Sequence, residues 1–97
     1  MKFSQIQQED RRRVILAALK NEPDYSINEY VISEVLGYMG HGVSQDTVRT
    51  ELAWLKEQGL ITIKADEIQV ATITDRGVDV ANGLATVPGV KRPRPGA

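Results

Sequence analysis

Hydrophobic positions recur at helical spacing near the start of the chain and predict a first helix from Glu9 to Asn21. The apolar residues that share one face are Val14, Ile15, Ala18 and Leu19. Pro23 ends the helix, because proline pushes the residue before it out of the helical region. Ser4 and Gln7 have the spacing of a capping box, so an earlier start also fits.

A second helix is predicted to start at Ser26, which forms a capping box with Glu29. Its apolar stripe contains Ile27, Val31 and Val35, widened by Tyr30, Leu36 and Tyr38. Gly37 or Gly40 ends this helix, and the glycines on both sides of His41 indicate a turn.

The third predicted helix has local signals at both ends. Ser44 caps its start, and Asp46 lies in the first turn, where an acid suits the helix dipole. Gly59 stands where a left-handed terminating residue is expected, and Leu60 follows as its apolar contact. The stripe predicted to be buried is Val48, Leu52 and Leu55.

After Gly59 the hydrophobic period changes from that of a helix to that of a strand. Leu60–Lys64 and Ile68–Ile73 are candidate strands, and residues 65–67 join them, so the pair predicts a hairpin. Thr74 then caps a short last helix that extends to Leu84. Three helices followed directly by a hairpin predict an α+β winged helix-turn-helix domain over residues 1–86.

Residues 87–97 contain three prolines and two glycines, which predict a flexible, extended tail. Lys91, Arg92 and Arg94 make this tail basic, and it contains no acidic residue. The whole chain has a formal net charge of −1, so acidic residues outnumber basic ones in the rest of it. This balance counts against strong nonspecific affinity for DNA.

The amino-acid composition excludes several kinds of functional site. The 97 residues fit one domain, and the absence of cysteine excludes disulfides, thiolate metal sites and cysteine nucleophiles. No apolar run approaches the roughly 18 residues of a membrane span, which favours an intracellular, cytoplasmic protein. No known catalytic motif is present, and His41 is the only histidine, so we expect neither an enzyme nor a metal or cofactor site. A loop histidine that bonds to a backbone group is the expectation for His41.

Five stretches resemble a small winged-helix family of Mu-like phages and prophages whose members are often labelled ArsR-like transcriptional regulators. They are residues 40–44 (GHGVS), 48–55 (VRTELAWL), 58–60 (QGL), 72–77 (TITDRG) and 87–93 (VPGVKRP). The resemblance covers nearly the whole chain and implies binding to double-stranded DNA. The metal-sensing cysteines of the best-known ArsR-like proteins are missing, so metal sensing is not implied.

In a helix-turn-helix, the N-terminal part of the second helix meets the base edges. The DNA contacts predicted on the third helix are Ser44, Gln45, Thr47, Arg49, Thr50 and Lys56. Arg49 suits guanine and Gln45 suits adenine. Lys64 in the hairpin and Lys91, Arg92 and Arg94 in the tail are predicted phosphate contacts. For the third helix, a solvated face with ordinary salt links is an equal alternative.

Two features leave a protein partner open. Asp46 and Glu57 on the third helix, and Asp66 and Glu67 at the hairpin tip, would repel phosphates. Trp54 lies beside the apolar stripe, where it either packs against another element or anchors a dimer or a protein partner. The predicted function is therefore a phage regulator that binds DNA, as a homodimer, with an adaptor for a phage or host protein as the alternative.

The side chains of Arg11, Arg12 and Arg13 point in different directions around the first helix. They therefore cannot all contact one surface. One or two of these residues suit phosphates, and one is expected to pair with Glu9 or Asp10.

Overall fold

Four helices and a three-stranded antiparallel sheet make up the computed structural model, which describes residues 2–95. The helices are α1 (Phe3–Asn21), α2 (Glu29–Tyr38), α3 (Gln45–Glu57) and α4 (Asp75–Ala81). The strands are β1 (Ser26–Asn28), β2 (Ile61–Ala65) and β3 (Gln69–Ile73). The predicted α+β class is confirmed.

Helix α1 ends at Asn21 as predicted but begins at Phe3, six residues before Glu9. Ser4 lies inside the helix, so the capping box assigned to it is wrong. The residue before the helix is Lys2, whose side chain makes no capping hydrogen bond. No helix within residues 2–95, α1 included, is long and apolar enough to cross a membrane.

The predicted start of the second helix is also wrong. Ser26 opens strand β1, which pairs with β3, and its hydroxyl lies 2.6 Å from the hydroxyl of Thr72. Asn28 caps α2 instead, because its side chain accepts the amide hydrogens of Tyr30 and Val31. The Ser26 hydroxyl therefore bonds to Thr72, 46 residues away, instead of capping α2.

The buried face of α2 differs from the predicted stripe. Its buried residues are Glu29, Ile32 and Leu36, whereas Val31 is exposed. Because Ile27 belongs to β1, the helical spacing counted from it does not apply to α2. The helix ends at Tyr38, and Gly40 follows with φ of 79°.

Helix α3 confirms the prediction from its local signals. The hydroxyl of Ser44 accepts the amide of Thr47 at 3.1 Å. At the other end, Gly59 has φ of 74°, and the amide of Leu60 donates to the carbonyl of Leu55 at 3.0 Å, as in a Schellman motif. The stripe of Val48, Leu52 and Leu55 is fully buried.

The predicted hairpin is confirmed with boundaries that differ by one residue. Ile61 pairs with Ile73 and Ala65 with Gln69, so β3 lies between β2 and β1. Thr74 caps α4 as predicted, since its hydroxyl accepts the amide of Gly77 at 3.0 Å.

The segment after residue 86, predicted as a flexible tail, contributes Val87 and Val90 to the buried core. The carbonyl of Gly89 accepts a hydrogen bond from Arg12, and the amide of Lys91 donates to the carbonyl of Glu9. Proline and glycine exclude regular elements here, but they do not prevent the valines from packing. Residues 96 and 97 of the predicted tail lie outside the described part of the chain.

Candidate functional site

One buried carboxylate joins α2, α3 and the hairpin. Glu29 is fully buried, and its oxygens accept hydrogen bonds from Arg49 Nε at 2.8 Å and Arg49 Nη2 at 3.1 Å. Gln45 Nε2 donates to it at 3.0 Å, and the backbone amide of Gln69 donates at 2.6 Å. Two of the predicted base-reading side chains, Gln45 and Arg49, are therefore held by the same carboxylate.

These donors keep Glu29 ionised. The guanidinium of Arg49 lowers the pKa of the Glu29 carboxyl to about 2, against the opposing effect of burial and with help from Gln69 and Gln45. The same hydrogen bond raises the pKa of Arg49. The pair is thus charged at neutral pH.

Acid should weaken the fold through this pair. The pKa of Glu29 is about 2 in the folded chain against an ordinary value of 4.5, so its stabilising effect is complete above pH 4.5. The effect is lost as the pH falls through that window towards 2. Urea unfolding measured between these pH values should show a steeper loss for the natural chain than for Glu29→Gln.

The matched control is Glu34→Gln, which changes an exposed carboxyl on the same helix. This variant should keep the acid dependence of the natural chain. Equal acid profiles for Glu29→Gln and the natural chain would contradict the assigned role of Glu29.

The side chain of Arg49 is held by Glu29 but remains open to solvent. Its side chain is 46% exposed, and Glu29 occupies only the edge formed by Nε and Nη2. A guanidinium has five N–H donors, so three are not used by Glu29 and include both hydrogens of Nη1. The free edge can donate two parallel hydrogen bonds to one ligand.

An open groove of about 470 Å³ runs between α3 and the hairpin. The residues that line it are Arg49, Ala53, Lys56, Glu57, Ile63, Ala65 and Gln69. Within the groove, the side-chain oxygen of Gln69 is buried and has no hydrogen-bond partner among the described residues. The groove is therefore lined by two cations, Arg49 and Lys56, and by one acid, Glu57.

The hydroxyls of three other predicted DNA contacts lie within hydrogen-bond distance of partners in α3 and its cap. The Thr50 hydroxyl donates to the carbonyl of Asp46 at 3.0 Å, and the hydroxyls of Ser44 and Thr47 lie 3.0 Å apart. Lys64 is exposed on β2.

The predicted tail contacts lie elsewhere. The ammonium of Lys91 lies 3.8 Å from the Asp10 carboxylate on α1, and Lys91 and Arg94 line a pocket there. Arg92 lines a different pocket beside the end of α4. Lys91, Arg92 and Arg94 therefore do not line the α3 groove.

Trp54 packs inside the molecule in part. The guanidinium of Arg12 lies 3.7 Å from the centre of its ring, and a Cβ added at Gly89 would lie 2.7 Å from the ring. Glu51 of α3 accepts hydrogen bonds from Arg12 at 3.0 Å and from Arg11 at 2.8 Å. These contacts agree with the packing interpretation of Trp54, and its role as a partner anchor stays a prediction.

The remaining arginine of the basic run and the histidine meet at Asp10. Arg13 donates to Asp10 at 2.8 Å, which confirms the expected pairing within the run. His41 Nε2 lies 2.7 Å from the other Asp10 oxygen, so the expected backbone partner is wrong. No group of three or more metal-ligating side chains occurs in residues 2–95.

Sequence reasoning missed Glu29 as the centre of this site. Its spacing from Ile32 and Leu36 puts all three residues on one helical face, which was the available signal. No sequence pattern indicated that Arg49, predicted as a DNA contact, would pair with Glu29.

Comparison with known proteins identifies relatives but no described function. The chain is 48% identical over 90 residues to uncharacterized protein gp26 of Escherichia phage Mu, covering 92% of this chain and 93% of gp26. It is 45% identical over 78 residues to an uncharacterized protein of Haemophilus influenzae, covering 78% of this chain and 76% of that protein. No family model matches the sequence, and no solved structure matches it significantly. The predicted relation to Mu-like phage proteins is confirmed, and the chain belongs to the family of phage Mu gp26.

Proposed function

We propose that this protein is a winged helix-turn-helix regulator that binds double-stranded DNA with α3 and the hairpin. The order of the elements, with a short strand after α1 that pairs with the hairpin, is compatible with a winged helix and supports the proposal. In this arrangement α3 enters the major groove and the hairpin lies beside it.

The observation that carries the proposal is the anchored guanidinium of Arg49. Glu29 holds one edge, while the other edge stays open to solvent. A fixed arginine loses less conformational entropy on binding, and its free edge matches O6 and N7 of guanine or a phosphate. Lys56 lines the groove beside Arg49, and its ammonium supports the proposal as a second cation for a phosphate.

The acidic residues limit how many phosphates one copy can contact. Asp46 and Glu57 are exposed on α3, and Asp66 and Glu67 are exposed at the hairpin tip. These negative charges repel the DNA phosphates. Nonspecific binding should therefore be weak, and its affinity should fall only slightly as salt is raised. Two copies on adjacent half-sites would supply the affinity that one lacks.

DNA binding is tested by fluorescence anisotropy with a labelled mixed-sequence duplex across a salt series. The logarithm of the affinity should fall linearly with the logarithm of the salt concentration. Lys56→Ala should weaken binding and reduce the slope by about one unit, since it removes one phosphate contact. Arg49→Lys keeps a cation beside the buried Glu29 carboxylate but removes the two parallel donors, so it should weaken binding by about tenfold or more, because a good bidentate contact contributes roughly 1–3 kcal/mol.

Lys20→Ala is the control, because Lys20 lies on α1 and bonds to Asn82 instead of lining the groove. It should leave both affinity and slope unchanged. An affinity for the natural chain weaker than about 10⁻⁴ M, with no salt slope, would end the proposal.

The second candidate is an adaptor that binds a phage or host protein through the same face. The exposed acids at the hairpin tip, Asp66 and Glu67, favour it because they suit a basic protein better than DNA. Pull-down from infected cells with and without nuclease separates the two functions. Partners that disappear after nuclease treatment would count against the adaptor.

A further inference from the structure

The outer side of α1 carries a second continuous surface. Helical spacing puts Phe3, Ile6, Asp10, Arg13 and Ala17 on one face of α1. Phe3 is 73% exposed and Ile6 is 44% exposed, although both are large and apolar. Arg11 and Arg12 leave the opposite side of the helix and bond to Glu51 of α3. This surface therefore lies away from the proposed DNA-binding groove.

The middle of the surface is a cationic pocket of about 210 Å³. Asp10, Arg13, Lys91 and Arg94 line it, so three cations share one acid. That acid already has partners, since Arg13 lies 2.8 Å and His41 lies 2.7 Å from its oxygens. The pocket therefore has a positive excess that suits an incoming carboxylate.

An apolar groove of about 200 Å³ adjoins the cationic pocket and shares Arg13 with it. It lies between α1 and α2, and its other lining residues are Val14, Ala17, Ala18, Asn21, Val35 and Met39. Met39 is 56% exposed, and methionine adapts its shape to an apolar side chain of a ligand.

We propose that this outer surface of α1, together with the adjoining α1–α2 groove and the cationic pocket, binds an acidic amphipathic segment of a partner protein. Apolar side chains of the segment enter the groove, and its carboxylates meet Arg13, Lys91 and Arg94. This is recognition of an apolar helix face by a groove, with charge complementarity beside it. The proposal is independent of DNA binding by α3.

Two other occupants fit the surface less well. A DNA backbone would pair with the cations but leave the groove and Phe3 without an apolar partner. A second copy that docked through the same surface would bring two pockets of the same positive excess together, which like-charge repulsion opposes.

The test is selection of a displayed library of random 12-residue peptides on the immobilised full chain. The enriched peptides should carry aspartate or glutamate within one helical turn of a large apolar residue. Binding of a labelled, enriched peptide should weaken about tenfold or more in Met39→Glu and in Arg94→Glu. The same affinity should fall when salt is raised from about 0.05 to 0.5 M, because screening weakens the carboxylate contacts.

The matched controls change an apolar residue and a cation that lie elsewhere on the molecule. Ile68→Glu lies at the hairpin tip and Arg76→Glu lies on α4, and neither residue lines the two pockets. Both controls should keep the affinity within about twofold, and circular dichroism should be unchanged in all four variants. Absence of enrichment, enrichment of neutral or basic peptides, or binding that is insensitive to both Met39→Glu and Arg94→Glu would each overturn the proposal.

Discussion

Glu29→Ala is expected to lower the free energy of unfolding by about 2 kcal/mol at neutral pH, because a buried carboxylate that accepts four hydrogen bonds is lost while the cation left behind, Arg49, is half-exposed. The substitution removes the acceptor for two hydrogen bonds from Arg49 and for one from Gln45. It also leaves the partly buried backbone amide of Gln69 without its partner. Urea unfolding gives the value directly.

Glu34→Ala is the control for this experiment, because Glu34 is exposed on the same helix. It should change the free energy of unfolding by less than about 0.5 kcal/mol. A loss below about 1 kcal/mol for Glu29→Ala would mean that the carboxylate does not hold α2, α3 and the hairpin together.

The second large effect is expected for Gly77→Ala. Gly77 lies in α4 where the chain returns against the start of the hairpin. A Cβ at this position would overlap the carbonyl oxygen of Leu60 and lie 2.6 Å from Cγ1 of Ile73. The carbonyl cannot move freely, because it accepts the amide of Thr74 at 3.0 Å. We expect a loss of about 3 kcal/mol, the upper part of the usual range for overpacking, measured by thermal and urea unfolding.

Gly37→Ala separates packing from helix propensity. Gly37 also lies in a helix, but a Cβ there would meet nothing within 4 Å. Alanine should therefore stabilise the chain by up to about 1 kcal/mol at this position. If Gly77→Ala were equally well tolerated, the close packing of α4 on Leu60 would be contradicted.

The elements that were predicted well are those with signals in their own sequence. Ser44 and Gly59 mark the two ends of α3 by local chemistry, and neither needs a distant partner. The alternation of apolar residues likewise located the hairpin, because its two strands are neighbours in the chain.

The errors occur where a distant contact overrides a local pattern. Ser26 has the spacing of a capping residue, yet its three-residue strand is fixed by pairing with Thr72. Glu29 was assigned to the same cap, but three distant donors compete for it successfully. Val87 and Val90 lie among prolines and glycines, and only the folded core shows where they pack.

Three residues of the candidate site were predicted, but neither Glu29 at its centre nor the organisation of the site was. Gln45, Arg49 and Lys56 were expected on α3 from the position of the helix in the chain. The attachment of Gln45 and Arg49 to Glu29, and the position of Arg49 and Lys56 along one groove, depend on how α2 and the hairpin cross α3. That crossing is a property of the packed core, which a single sequence does not encode in any short pattern.

Proton–nitrogen correlation spectra of the labelled chain, titrated with a short mixed-sequence DNA duplex, test the central claim most directly. DNA binding through α3 and the hairpin predicts that the amide shifts change most at Gln45, Arg49, Ala53, Lys56 and Gln69. Changes confined to the outer side of α1, or no changes at a DNA concentration of about 10⁻³ M, would contradict it.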